Sequence, residues 1–347
     1  MDSTIEVRSA GESRSFACAP GERILDAGLR AGLNLSYGCA TGTCGDCRAT
    51  VVQGEVESLW ADAPGARALR QPGEVLLCQT SARGSCLIEA KANASTYPRE
   101  VPQVFEGVIE RIVPNDDGLT WIDLALDRPM RFLAGQFVLL SMPGVEGYRA
   151  YSPAHDGQDV SRLSLVVRSK AEGALSPLLC SLDSVGRHVQ VFGPLGAAHV
   201  RPDEDGDTTV VAGGSGAAVA LSVLDWAVAS GHLERHRLNL VCGLRTSRCP
   251  EVIDRLAAAA ARLGDRLRIV VALSDEDSRS VVPRGAGAVL EFESGMAHEV
   301  AQRHLEGQWR GCAVFVAGPP PMVQSTLRML ITKARLNPAG IRYDSFT

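Results

Sequence analysis

Four cysteines constrain this chain more than any other feature. Cys39, Cys44 and Cys47 lie in Tyr37-Gly-Cys-Ala-Thr-Gly-Thr-Cys-Gly-Asp-Cys47, and Cys78 lies in Leu-Leu-Cys-Gln-Thr. The spacing is C-x4-C-x2-C with a distant fourth thiol, the arrangement of a plant-type 2Fe–2S site. The chemistry explains the pattern. Two irons each take two thiolates, so four sulfurs must meet on a compact rhomb. One loop can supply three of them only if its backbone wraps tightly. Gly38, Gly42 and Gly45 permit this and leave amides free to bond sulfur. The alternatives are buried free thiols or a zinc site, but zinc favours paired C-x2-C units and only one such pair is present. The other six cysteines (18, 86, 180, 242, 249 and 312) show no ligand spacing and read as packing residues.

Composition narrows the setting. A chain of 347 residues is long enough for two or three domains. A net charge of −5 argues against a nucleic-acid partner. No apolar run reaches the length of about 18 residues expected of a membrane span. Met1-Asp2-Ser3-Thr4 lacks the basic start and apolar core of a signal peptide. The expected compartment is therefore the cytoplasm, where clustered cysteines indicate metal or redox chemistry rather than disulfides. No self-complementary apolar helix argues for a dimer.

Four segments follow along the chain. Residues 1–91 are short apolar stretches punctuated by glycine and carry the cluster cysteines. Residues 92–102 are polar and bounded by prolines, as a linker would be. Residues 103–202 alternate apolar and polar positions over 104–113, 119–126 and 163–168, which predicts an antiparallel barrel. Residues 203–347 place apolar runs at 208–212, 238–242, 267–273 and 313–317 between helical stretches such as 217–230 and 250–263. That pattern predicts a parallel sheet with crossover helices.

Each of the last two segments carries candidate binding residues. Arg149, Tyr151 and Ser152 put a cation, an aromatic ring and a hydroxyl on one short strand. That set suits an anionic planar ligand such as a flavin: Arg149 for a phosphate, Tyr151 against the ring or ribityl chain, Ser152 as a donor near N5. Gly173 and Ser176, in Gly-Ala-Leu-Ser-Pro-Leu, read as a turn into a helix start that could hold a diphosphate, or as an ordinary N-cap. Gly193-Pro-Leu-Gly196 closes the barrel segment. Gly213, Gly214 and Gly216 sit in Val-Ala-Gly-Gly-Ser-Gly-Ala-Ala, a strand running through a glycine turn into a helix, where backbone amides can approach a pyrophosphate. Arg245 and Gly318 each end a later strand. His232 and His236 read as residues of a surface turn.

In their order along the chain, Arg149-x-Tyr-Ser152, Gly173-x-x-Ser176 and Gly193-Pro-x-Gly196 resemble the ferredoxin–NADP reductase superfamily. With the N-terminal cluster loop, the whole chain resembles the reductase components of bacterial aromatic-ring dioxygenases and multicomponent monooxygenases. The resemblance implies a multidomain α+β and α/β architecture: a β-grasp ferredoxin domain, an antiparallel β-barrel for FAD and a parallel-sheet domain for NADH or NADPH. It also implies that an aromatic residue near the C-terminus covers the flavin, for which Phe346 is the candidate. Asp344 is a candidate general acid near flavin N5.

Three positions depart from that pattern. Ala218 stands where the glycine turn usually continues with proline, and Ala317 where a cysteine often lies beside the nicotinamide. Thr246-Ser247-Arg248 follows Arg245 where an acidic residue is common. Arginines there can favour a 2′-phosphate, so NADH and NADPH both stay open. The expected activity is electron transfer from nicotinamide nucleotide through FAD and the cluster to an oxygenase or its ferredoxin. The alternative is a redox-responsive regulatory homologue with a weakened nucleotide site, signalling to a transcription regulator.

Overall fold

The computed structural model describes residues 2–9, 11–92, 100–201, 203–281 and 290–345. Phe346 and most of the expected linker lie outside the described residues. The chain divides into two compact units. The first comprises Met1–Val104, Gly147–Ala150 and Phe192–Gly196; the second comprises Phe105–Glu146, Tyr151–Val191 and Ala197–Thr347.

The first unit is built on strands β1 (Ser3–Ser9), β2 (Glu12–Cys18), β3 (Arg48–Gln53), β4 (Val56–Ser58), β5 (Glu74–Leu76), β6 (Thr80–Ala82) and β7 (Cys86–Ala90), with helix α1 (Ile24–Arg30) after β2. Five of them form a sheet in the order β2-β1-β7-β3-β5, and β4 pairs with β6. β1 runs antiparallel to β2 and parallel to β7, the mixed pairing of a β-grasp. Alternation drives it: in β1, Ile5 and Val7 are buried between solvated neighbours. Helix α1 buries every residue from Ile24 to Leu29, Asp26 included. The segment between α1 and β3 is left to carry the three clustered cysteines.

The barrel strands are β8 (Gln103–Pro114), β9 (Leu119–Phe132), β10 (Phe137–Ser141), β11 (Arg149–Tyr151), β12 (Gly157–Arg168) and β13 (His188–Leu195), with the short helix α2 (Ser176–Cys180) before β13. They hydrogen-bond in the order β11-β10-β13-β8-β9-β12, with β9 antiparallel to both neighbours. Their inward side chains, among them Ile109, Leu124, Leu140, Leu165 and Val191, make one core.

The C-terminal sheet is formed by β14 (Thr208–Gly213), β15 (Leu238–Leu244), β16 (Leu267–Leu273), β17 (Glu291–Ser294), β18 (Ala313–Gly318) and β19 (Ile341–Ser345). Its order is β17-β16-β15-β14-β18-β19, and every pairing is parallel. β14 is buried at all of its positions, as a central strand covered on both faces must be. Val210 and Ala212 pack with helices α3 (Ala217–Ala229) and α4 (Pro250–Leu263). Val211 faces the other way, with α5 (Ala297–His304) and α6 (Pro320–Thr332). The last strand is held by Arg342, whose guanidinium pairs with Glu204 and donates to the His199 carbonyl at 3.2 Å.

One expectation needs correction. His232 is not on the surface. It is 4% exposed, stacked between the rings of Trp226 at 4.7 Å and His236 at 5.0 Å. Gly231, at φ 69°, turns the chain back so that the imidazole fills the end of α3 and meets the Thr208 hydroxyl at 3.3 Å.

Candidate functional site

The cluster loop gathers its sulfurs as two pairs. The Cys39 sulfur accepts the amides of Thr41, Thr43 and Cys44 at 3.3–3.4 Å, and the Cys44 sulfur accepts those of Cys39 and Asp46 at 3.4 Å. Cys78 arrives from the turn after β5, its sulfur 3.2 Å from that of Cys47. Cys39, Cys47 and Cys78 are buried, while Cys44 is exposed. Bonding from the Cys44 thiol, supported by the Thr41 and Thr43 side chains and the Thr41 amide against desolvation, pulls the Cys39 thiol down to about 4. The same contact pushes Cys44 up, and the Cys47 contact pushes Cys78 up. Among the described residues, no group of three or more His, Cys, Asp or Glu side chains is placed to hold a metal ion. The four thiols lie as two pairs with amides aimed at sulfur, a donor set that suits a binuclear cluster.

Glycine at 45 is a physical requirement of this loop. Its φ is 90°, and a Cβ there would come within 2.5 Å of the Ala68 methyl. Ala40 also adopts a left-handed φ, 54°, and its carbonyl accepts from Arg23 at 3.1 Å.

In the barrel, Arg149 is half-buried at the start of β11, donating to the Tyr148 carbonyl at 2.9 Å. Tyr151 is half-buried against the barrel core. Ser152 follows it, also half-buried. Ser176 is the first residue of α2 and is not the cap. Its hydroxyl accepts the Lys170 amide at 3.0 Å and so closes the loop containing Gly173, whose own amide bonds the Lys170 carbonyl at 2.8 Å. Gly193 is buried within β13. Arg149 and Gly193 belong to the same compact unit as the cluster loop, whereas Tyr151, Ser152, Gly173 and Ser176 belong to the other.

The nucleotide residues meet at the point where the parallel sheet reverses its order, between β14 and β18, where open α/β sheets bind ligands. Gly213, Gly214 and Gly216 run from the end of β14 into α3. A Cβ on Gly216 would lie 2.2 Å from the Ala317 carbonyl oxygen, so only glycine lets this turn close against β18. Asp344 is paired in register with Ala317 on β18. Its Oδ2 is sealed from solvent and has no hydrogen-bond partner among the described residues. Burial raises its carboxyl to about 7, a feature common at functional sites.

Residues that sequence reasoning passed over also stand here. Arg168, ending β12, reaches within 4.0 Å of a Cβ on Gly214 and donates to the Asp117 carbonyl at 3.0 Å. Desolvation and the nearby Arg245 both weaken its hold on its proton. Only a long-range contact places it beside the glycine turn, so no local signal could have found it. The acidic group missing after Arg245 is supplied from the end of β16: Asp275 lies 4.0 Å from Arg245, and Glu276 accepts from the Ser247 amide and hydroxyl.

Three family models match the chain in order: a 2Fe–2S iron–sulfur cluster binding domain over residues 7–83, an oxidoreductase FAD-binding domain over 117–200 and an oxidoreductase NAD-binding domain over 210–328. The ferredoxin–NAD(+) reductase component of the alkene monooxygenase system of Xanthobacter autotrophicus is 31% identical, over 96% of this chain and 98% of its own length. The chain belongs to the ferredoxin–NADP reductase superfamily. Within it, the chain is of the type that joins an N-terminal 2Fe–2S domain to FAD and NAD domains. The phenol 2-monooxygenase reductase component of a Pseudomonas species is 30% identical, over 90% of this chain and 86% of its own. A solved ferredoxin reductase of carbazole 1,9a-dioxygenase superposes with a TM-score of 0.82 at 28% identity, covering 100% of this chain and 99% of that one. These relatives are all reductase components, and the regulatory alternative finds no support among them. No helix among the described residues is long and apolar enough to cross a membrane.

Proposed function

We propose that this protein takes electrons from a nicotinamide nucleotide and delivers them singly to a partner protein, an oxygenase or its ferredoxin. When bound, FAD supplies conversion of a hydride into single electrons, and the cluster supplies a one-electron carrier. Cys39, Cys44, Cys47 and Cys78 would hold the cluster, and the loop amides would stabilise charge on their sulfurs. The flavin candidates are Arg149 and Gly193 in the first unit and Tyr151, Ser152, Gly173 and Ser176 in the second. Gly213, Gly214 and Gly216, with Gly318 and Arg245, receive the nucleotide at the sheet's switch point. Asp344, whose carboxyl is raised by burial to about 7, could take up or release a proton beside β18 near neutral pH. On this reading the domain boundaries fall near 91, 103 and 203.

The observation carrying this reading is the two-by-two pairing of thiols in an amide cage, in a chain whose parallel sheet opens a glycine turn at its switch point. Anaerobic mixing with NADH or NADPH tests it. Bleaching of flavin absorbance followed by cluster absorbance is expected. A protein that holds both cofactors yet bleaches with neither nucleotide would contradict it.

A further inference from the structure

Within the first unit, the cluster loop is fastened at two points to segments that come from the barrel part of the sequence. Tyr37 stands two residues before Cys39, and its phenol oxygen accepts the Gly196 amide at 3.1 Å. The second fastening is Arg23, which is 6% exposed. Its guanidinium pairs with Asp26 of α1 at 2.7–2.8 Å and donates to the Ala40 carbonyl at 3.1 Å. Its flat face lies 3.9 Å from the centroid of the Tyr148 ring. One planar cation thus holds the helix, the carbonyl between two cluster-loop positions, and the residue just before Arg149. Ala40 keeps its left-handed backbone under this hold, an arrangement a non-glycine residue sustains only when its surroundings impose it.

We propose that Tyr37 and the Arg23–Tyr148 stack are positioning elements for internal electron transfer. They fix the cluster loop against residues 147–150 and 192–196, which include the flavin candidates Arg149 and Gly193. They thereby set how fast one electron leaves reduced flavin and turns one ferric iron of the cluster ferrous. The inference rests on the flavin assignment of the preceding section. Electron transfer falls steeply with separation, so a loop free to shift by an ångström loses rate without any change in either cofactor. A planar stack and a backbone hydrogen bond restrain such shifts because both are directional.

The test uses the holoprotein carrying Tyr37→Phe together with Tyr148→Leu, which leaves Arg23 and its buried partner Asp26 in place. Three measurements apply: hydrogen exchange of peptides spanning 37–44 and 192–196, rapid-mixing rates of flavin and cluster bleaching, and the cluster midpoint potential. Faster exchange in both peptides is expected, with unchanged flavin reduction, unchanged potential and cluster reduction slowed roughly tenfold or more. Tyr148→Phe, which keeps a ring under Arg23, should restore the rate lost on Tyr148→Leu. Unchanged exchange, or faster exchange with cluster reduction at its original rate, overturns the proposal. If the double variant fails to retain flavin, Tyr37→Phe alone is judged by the same criteria. If nucleotide reduces neither cofactor even in the unaltered protein, the functional reading fails instead, and photochemical reduction of the flavin still supplies the electrons for the comparison.

Discussion

The cluster loop and the nucleotide turn are both short glycine-rich segments, yet they assemble in opposite ways. The first collects three of its four candidate ligands between Cys39 and Cys47, and local amides complete the cage. The second contributes little more than a bend. Its walls come from β18, the start of α6 and the end of β12, all distant in sequence. A locally closed site is fixed by residue spacing; a site closed by strand order is fixed by topology. Damage to the first should therefore remove a cofactor, and damage to the second should weaken a binding step while both cofactors remain.

The largest expected effect is at the cluster. Cys78→Ser should lower reduction of a one-electron protein acceptor by at least about 100-fold and erase the paramagnetic signal of the reduced cluster. Flavin reduction by nucleotide should survive. Loss of flavin reduction as well would show that the two regions are not separable. Gly216→Ala comes next. Its new methyl must displace the Ala317 carbonyl, so nucleotide affinity should fall by roughly 10- to 100-fold, the equivalent of about 1–3 kcal/mol of overpacking. Steady-state KM for the nucleotide, read beside an unchanged flavin spectrum, checks it.

Asp344→Asn sharpens the contrast through pH. Burial raises this carboxyl from 3.8 to about 7, so between those values the folded chain holds a proton that the unfolded chain has released. Stability should fall as pH rises through that window, by on the order of 4 kcal/mol at its upper end. The asparagine variant should match the parent near pH 4 and exceed it in thermal midpoint near pH 8. Hydride transfer should also lose its inflection near pH 7. A variant that tracks the parent across the range would remove Asp344 from both roles. The smallest effect belongs to Asp275→Asn. It frees an exposed Arg245 from a 4.0 Å partner, and should improve use of NADPH relative to NADH by about fivefold or less. The ratio of kcat/KM values is the measurement.

This difference in assembly also governs what could be read from the chain. Strands β14, β15, β16 and β18 were legible because fully buried parallel strands are continuous apolar runs, and α3 and α4 because they fill the intervals between them. That Cys39, Cys44, Cys47 and Cys78 belong together was legible from spacing; which thiol lies beside which was not. Ser176 is not the cap it could pass for, since Leu175 precedes the helix and the serine hydroxyl takes the Lys170 amide from a loop of no regular pattern. His232 was misplaced because charged neighbours made its turn look solvated, although Gly231 folds the ring inward. Arg168, Asp275 and Glu276 carry no local signature, since each gains meaning only from a strand end beside it. Nor could spacing show that Tyr37 reaches Gly196.

The position of β19 has one more consequence. It is an outermost strand, hydrogen-bonded to β18 alone among the described strands and pinned by the pairing of Arg342 with Glu204. It can peel away while the other five strands stay zipped, which makes it the cheapest part of the sheet to lose. On the role proposed for Asp344, a molecule so frayed would keep the rest of its sheet and yet be idle, with that acid cast into water. Apparent specific activity would then report the fraction of molecules with the final strand seated, and breaking the Arg342 pin would lower that fraction ahead of any visible unfolding.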